Sequence, residues 1–213
     1  MPMPKNTILW DWNGTLLNDV QMCVDCINVL LEKRNLPLLT VETYRKVFGF
    51  PVKDYYEKIG FDFSREDFEI PAKAFMDLYY ERLPETSLFP CVEDVLEHFK
   101  RNGFRQFIVS AMEHDSLVKT LLERKIDSYF EAVSGIDNIY AGGKTEMAMA
   151  FIRRQQLSGE QIVFIGDTLH DLEVAQFLGV QPLLVAAGHQ AGERLRQKTA
   201  HVVEKLSGVV SRF

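Results

Sequence analysis

The chain opens on a short apolar run, TILW at 7–10, that stops on one acid, Asp11, and turns at once through Asn13-Gly14-Thr15. An unbroken run of this length reads as a strand buried on both faces, and we expect it over 7–12. Asn-Gly ordinarily marks a hairpin, yet no alternating pattern follows. From Asn18 to about Leu83 the pattern is helical instead. Phe68, Ala72, Phe75 and Tyr79 recur at three- and four-residue steps, which predicts a helix burying one face. Pro37, Gly49, Pro51, Gly60 and Pro71 divide the stretch into several short helices. LPETSLFP at 83–90 reads as a linker.

Beyond the linker, helix and strand alternate. Val92, Val95, Leu96 and Phe99 predict a helix, and Phe107-Ile108-Val109 a short strand. Leu117, Val118, Leu121 and Leu122 predict the next helix, followed by a strand near Phe130–Val133. A helix over 144–157, strand IVFIG (162–166), a helix over 170–178 and strand PLLVA (182–186) complete the series. Strands separated by helices form a parallel sheet covered on both faces. The expected fold class is therefore α/β: a Rossmann-like parallel sheet core made of 1–17 plus 84–213. A helical block, 18–83, is inserted after its first strand.

Composition narrows the function. With 213 residues, 46% hydrophobic and 25% charged, the chain can bury one good core and a smaller appended unit. Net charge is −6 with acids and bases mixed, so nucleic acid and anionic membranes are not expected partners. No apolar run has the length of a membrane span or a signal peptide, and the cytoplasm is the expected address. Three cysteines fit a reducing compartment. Cys23 and Cys26 form a C-x-x-C, but no second pair or nearby histidine completes a zinc site. Val20, Cys23, Val24, Ile27 and Leu31 share one helical face, so Cys23 reads as core. His114, His189 and His201 have no partner visible in the sequence and read as surface or packing residues.

In open α/β sheets, ligands bind beyond the carboxyl ends of the strands. Asp11 follows ILW, Ser110 follows FIV and Asp167 follows VFIG. Lys144 stands just past Gly142-Gly143, where a helix begins, and Asp171 lies one helical turn after Asp167. Singly, each has a plain reading as a turn cap, a helix-start acid or a solvated lysine. Together they suit Mg²⁺, which prefers hard oxygen ligands, and phosphate, which lysine and backbone N–H groups neutralise.

These segments resemble the motifs of the haloacid dehalogenase superfamily. DWNGTLL resembles its D-x-D-G-T first motif and FIVSA its second. Lys144 in GGKTEM fits the third, and GDTLHDLEVA fits the acidic fourth closely. FPCVEDVLEHFKRNGF and IDSYFEAVSGID resemble flanking stretches of phosphoglycolate-phosphatase-like members, and the inserted helices resemble the family's helical cap. The resemblance implies a Mg²⁺-dependent phosphohydrolase for a small phosphorylated metabolite, with Asp11 forming an aspartyl-phosphate. It implies metal ligation by Asp11, the backbone carbonyl of Asn13, Asp167 and Asp171. Catalytic roles fall on Asp11, Asn13, Ser110 and Lys144. Trp12, Gly14, Thr15, Ser110, Ala111 and Lys144 would contact the phosphate, and Phe50 and Lys53 would reach the substrate from a Gly-Phe-Pro turn in the cap. Thr15–Asn18 and Leu83–Pro90 would be the cap's hinges.

Asn13 departs from the family pattern, which has at this position an aspartate that protonates the leaving alkoxide. An amide exchanges no proton at neutral pH, and such help is worth about 10²–10⁴ in rate. Four readings stand side by side: a good leaving group such as an acyl phosphate; a proton from another residue, His170 being nearest in sequence; a long-lived aspartyl-phosphate; or an engineered Asp→Asn change. Two other functions compete with hydrolysis. One is a phosphate-binding or regulatory member without turnover. The other is carbon–phosphorus cleavage: Trp12 resembles the D-W-A-G-T motif of phosphonoacetaldehyde hydrolases, where a cap lysine forms a Schiff base. Lys53 lies in the matching region but follows its glycine by four residues, not three, and a solvated helix lysine is the simpler reading.

Overall fold

Every residue of the first apolar run is fully buried or nearly so, because the strand it forms is paired on both sides. The computed structural model describes residues 5–136 and 144–213; the Gly142-Gly143 turn expected before Lys144 lies outside the described residues. Strand β1 (Thr7–Trp10) leads through β2 (Leu17–Asn18) into helices α1 (Val20–Glu32), α2 (Val41–Val47), α3 (Val52–Lys58) and α4 (Glu69–Arg82), and the chain returns through β3 (Ser87–Leu88). Then follow α5 (Val92–Arg101), β4 (Arg105–Glu113), α6 (His114–Glu123), β5 (Ala132–Ile136) and α7 (Lys144–Arg154). The chain closes with β6 (Ile162–Gly166), α8 (Leu169–Leu178), β7 (Gln181–Val185), α9 (Gly192–Arg196) and β8 (Val202–Val203).

Among the described residues, six strands form one sheet in the order β5-β4-β1-β6-β7-β8, with every pair parallel. This is the expected α/β class. Alternation along each strand sorts side chains between two cores. Ile8, Trp10, Ile108, Val163 and Ile165 pack with Leu96 and Phe99 of α5 and Leu117 of α6. Leu9, Phe107, Val109 and Phe164 pack on the opposite face with Phe151 of α7 and Val174 of α8. Burial at about 25 cal/mol per Å² of apolar surface makes these two layers the main source of stability.

Two local features differ from the expectation, and a third goes beyond it. A strand does follow Asn13-Gly14: Leu17 and Asn18 pair antiparallel with Leu88 and Ser87. Two residues are too few to show a period, so this ribbon was invisible in the pattern. It ties together the two segments expected to be free hinges. Strand β4 runs on past Ser110, which sits within a register shift between Val109 and Glu113 and not at a strand end; such irregularities re-aim side chains. Finally, the stripe from Phe68, at the start of α4, to Tyr79 packs on the core as expected, with Tyr79 buried in it, and the same residues also line a cavity shared with the sheet's carboxyl edge.

Candidate active site

Asp11 extends β1 by one more ladder bond, its N–H donating to Ile165 O at 2.8 Å. This fixes a carboxylate at the carboxyl edge in the middle of the sheet. Asp167 ends β6 beside it, and Asp171 completes a capping box at the start of α8, where Thr168 is the N-cap. Oδ2 of Asp171 accepts from the N–H of Thr168 at 2.9 Å, from its Oγ1 at 2.7 Å and from the Asp167 N–H at 3.2 Å. Its other oxygen accepts from Lys144 Nζ at 2.6 Å, and the same ammonium is bonded to Asp11. Thr15 Oγ1 reaches Asp167 Oδ1 at 3.2 Å and Asp11 Oδ2 at 3.4 Å.

Two buried carboxylates, Asp11 and Asp171, thus share one lysine, with Asp167 beside them. Burial pushes Asp11 up to about 6, with Lys144 pulling it down and Asp171 adding repulsion. Burial pushes Asp167 up to about 8 even with His189 close by, and Asp171 and Asp11 add to the rise. Burial acts against Asp171 as well, but Lys144 and Thr168 outweigh it and hold its carboxyl below the ordinary range. Lys144 gains more from Asp11 and Asp171 than burial removes, and it stays charged. Oxygen atoms of Asp11, Asp167 and Asp171 lie within 4.8 Å of one another. Crowded, hard and excess in negative charge, this donor set fits a divalent cation.

A second buried cluster adjoins the first. Asp19, at the mouth of α1, accepts from the Gly14 N–H at 3.0 Å and from Asn13 Nδ2 at 2.8 Å. It also accepts from Tyr79 Oη at 3.1 Å and pairs with His189 Nε2 at 3.1 Å. Tyr44 Oη lies 3.0 Å from His189 Nδ1. Burial opposes both charges of this pair, yet each holds the other: His189 rises to about 9 and Asp19 falls below the ordinary carboxylate range. The His189 N–H also donates to Asp167 Oδ2 at 2.5 Å, which joins the two clusters. Gly14 makes the junction possible. It has φ +73°, and a Cβ there would stand 2.4 Å from both Asp167 Oδ2 and His189 Cδ2.

Both clusters open into a cavity of about 480 Å³. Asp11, Ser110, Ala111 and Lys144 lie on the sheet side, and aromatic residues of α2, α3 and α4 face them. Helix α2 is fastened to the loop after β7, where Arg45 donates to Gly188 O at 2.7 Å and to Ala187 O. A profile described as "Haloacid dehalogenase-like hydrolase" matches residues 8–185. The chain belongs to that family.

Its relatives within the family include a phosphoglycolate phosphatase of Caulobacter vibrioides, 27% identical over 86% of this chain and 80% of that one. The pyrophosphatase PpaX of Anoxybacillus flavithermus is 26% identical over 98% of this chain and 97% of that one. Among solved structures, a haloacid dehalogenase-like hydrolase of Streptococcus pneumoniae shares the fold, with a TM-score of 0.83 at 20% identity and 98% coverage of both chains.

Against the expected site of a haloacid dehalogenase-like hydrolase, Asp11, Asn13, Ser110, Ala111, Lys144, Asp167, Asp171 and Phe50 all line the cavity, as does His170. Ser110 Oγ accepts from the Met112 N–H at 3.1 Å. Four expectations need correction. Trp12 is fully buried in the apolar core and does not reach the cavity. Thr15 and Gly14 lie behind the carboxylates, where they position them, and are absent from the lining. Lys53 is exposed on α3 with its ammonium 5.6 Å from the Phe63 ring, outside the cavity, which removes the support for a Schiff-base role. His189 is no packing histidine: its partner Asp19 is 170 residues away, a pairing no local pattern reveals. Tyr79 likewise belongs to the site, its hydroxyl 2.6 Å from Asn13 Nδ2. Cys23 is buried as expected, although its sulfur lies 3.8 Å from Asp19.

Proposed function

We propose that the chain is a Mg²⁺-dependent phosphatase for a small phosphorylated metabolite, with the 18–83 helices acting as a cap over an α/β core. One observation carries this reading. Asp11 stands at the end of the central strand, inside a cavity, within reach of a buried lysine and two further carboxylates. The names of the phosphatase and pyrophosphatase relatives support the same reaction class.

Asp11 attacks phosphorus and becomes an aspartyl-phosphate, and water then releases phosphate and regenerates the carboxylate. Lys144 and Ser110 bind the phosphoryl oxygens and the charge that develops on them. Asp11, Asp167 and the backbone carbonyl of Asn13 would hold Mg²⁺, whose charge would offset the repulsion between nucleophile and phosphate. Asp171 has both oxygens committed, to Lys144 and to the start of α8. Its part is to hold that lysine in place and, through the Asp167 N–H, the turn that bears Asp167. Asn13 orients but carries no proton.

A phosphate-release screen with Mg²⁺ tests the proposal. Activity is expected for the natural chain and none for Asp11→Ala. Release that survives the substitution excludes Asp11 as nucleophile. A second reading, tight phosphate binding without turnover, is favoured by the immobilised Asn13 amide; binding without release on a broad panel would select it.

A further inference from the structure

Among the described residues, no Lys or Arg lines the cavity wall opposite Asp11. The basic side chains of the whole cavity, among the described residues, are Lys144, His170 and His189. Lys144 is committed to Asp11 and Asp171, and His189 to Asp19. His170 lies beside Glu173, its ring 4.8 Å from that of Phe50. None of the Lys and Arg residues of the inserted helices lines the cavity. Arg45 bonds the backbone of Gly188, Arg34 pairs with Glu66, Arg82 with Glu85, and Lys53 lies over Phe63. Residues 1–4 and 137–143 contain no Lys, Arg or His.

That wall is aromatic instead. Phe48, Tyr55, Phe68, Phe75 and Tyr79 line it. Tyr55 adds one neutral polar point: its hydroxyl is buried and meets no partner among the described residues. A substrate with a second anion, such as a carboxylate or another phosphate, would be desolvated here without a counter-charge, whereas an aromatic ring would find faces and edges to pack on.

Asn13 points the same way for a separate reason. With no acid beside the leaving oxygen, the bond that breaks fastest is one to an oxygen that departs as a stable anion. A phenolic oxygen qualifies, having a pKa near about 10 as in tyrosine, while an alkoxide does not. Resting on the phosphatase reading, we infer that the substrate class is an aryl phosphate monoester, an aromatic ring bearing phosphate on a phenolic oxygen. The P–O(aryl) bond breaks as the Asp11–phosphorus bond forms, and the aryloxide leaves with the electron pair and takes its proton from water. A second water then splits the aspartyl-phosphate into phosphate and Asp11.

The test compares kcat/KM for phenyl phosphate, benzyl phosphate, phosphoglycolate and pyrophosphate with Mg²⁺ on the full chain. Phenyl phosphate should exceed phosphoglycolate and pyrophosphate, which carry a second anionic group, by about 10- to 100-fold, the value of burying one aromatic ring. Benzyl phosphate, which has the ring but a poor leaving group, should match phenyl phosphate in KM and fall below it in kcat. Met76 lines the cavity and is 41% exposed. Met76→Arg should move the preference toward phosphoglycolate by about tenfold, since one charge-assisted bond is worth that much. If phosphoglycolate or pyrophosphate equals phenyl phosphate on the natural chain, the inference is wrong and the phosphatase reading stands. If nothing is turned over, the phosphatase reading fails and the substrate inference falls with it. Calorimetry of phenylphosphonate against phosphonoacetate reads the aromatic wall apart from turnover: phenylphosphonate should bind more tightly, and equal or weaker binding overturns the inference.

Discussion

Asn13 donates its side-chain N–H to Asp19 Oδ2 at 2.8 Å. The residue two places past the proposed nucleophile is therefore a fixed donor facing a carboxylate that His189 keeps ionised. The amide is matched to its surroundings: an ionised aspartate here would meet another acceptor at hydrogen-bonding distance.

Asn13→Asp makes that conflict explicit. Two carboxylates would share the space and one would hold a proton, restoring an acid next to the leaving group. Turnover of an alkyl phosphate is expected to rise about 10- to 100-fold. The thermal midpoint should fall, since a charge-assisted hydrogen bond worth about 1.5–3 kcal/mol is lost. Phosphate release and thermal scans check both, and a drop in turnover would show that the amide is not what limits the rate.

The Asp19–His189 pair sets a pH window for stability. His189 titrates at about 9 in the fold and near about 6.5 when unfolded. Its contribution is complete below the unfolded value and disappears as pH rises through about 9. Asp19, held below its ordinary value, contributes above that value and loses its share only in strong acid. His189→Gln should destabilise the metal-free protein by up to the order of 3 kcal/mol near neutral pH and by much less in alkali. Urea midpoints of both proteins across the alkaline range measure it; a constant difference would count against the pair.

Divalent metal should act with the opposite pH dependence. Asp11 and Asp167 keep protons in the fold that the unfolded chain has already released, so stability falls as pH rises toward about 8. Metal needs both groups ionised. Mg²⁺ is expected to raise the thermal midpoint more at about pH 8.5 than at about pH 5.5, by mass action on the folded state. Asp167→Asn should abolish the increment, and an increment independent of pH would argue for a different site.

Gly14→Ala separates crowding from strain. At Gly14 the added methyl would meet Asp167 and His189, whereas at Gly103, with a similar φ of +75°, it would meet nothing within 4 Å. Gly103→Ala should cost about 1 kcal/mol and leave turnover unchanged. Gly14→Ala should cost more and reduce turnover about 100-fold by displacing Asp167. Equal effects of the two substitutions on turnover would remove the packing argument.

Much of the fold was legible because its signals are local. The runs TILW and IVFIG are buried on both faces and show no alternation, as central parallel strands do. Asp11 and Asp167 were found because a polar residue closing such a run must lie at the sheet's edge. Other features left no trace. The β2–β3 ribbon is two residues long on each side, and the spacing of the α4 stripe is the same whether it faces a core alone or a cavity as well.

The sequence by itself determined an α/β sheet interrupted by helices, the order of its elements and the set of polar residues at its carboxyl edge, because hydrophobic period and strand ends are written in neighbouring residues. Only the tertiary structure decided that Asp19 meets His189, that Tyr79 meets Asn13, and that the aromatic face opposite Asp11 holds no Lys or Arg among the described residues. Those relations join residues brought together by packing across the sheet edge, where distance in space is independent of distance along the chain.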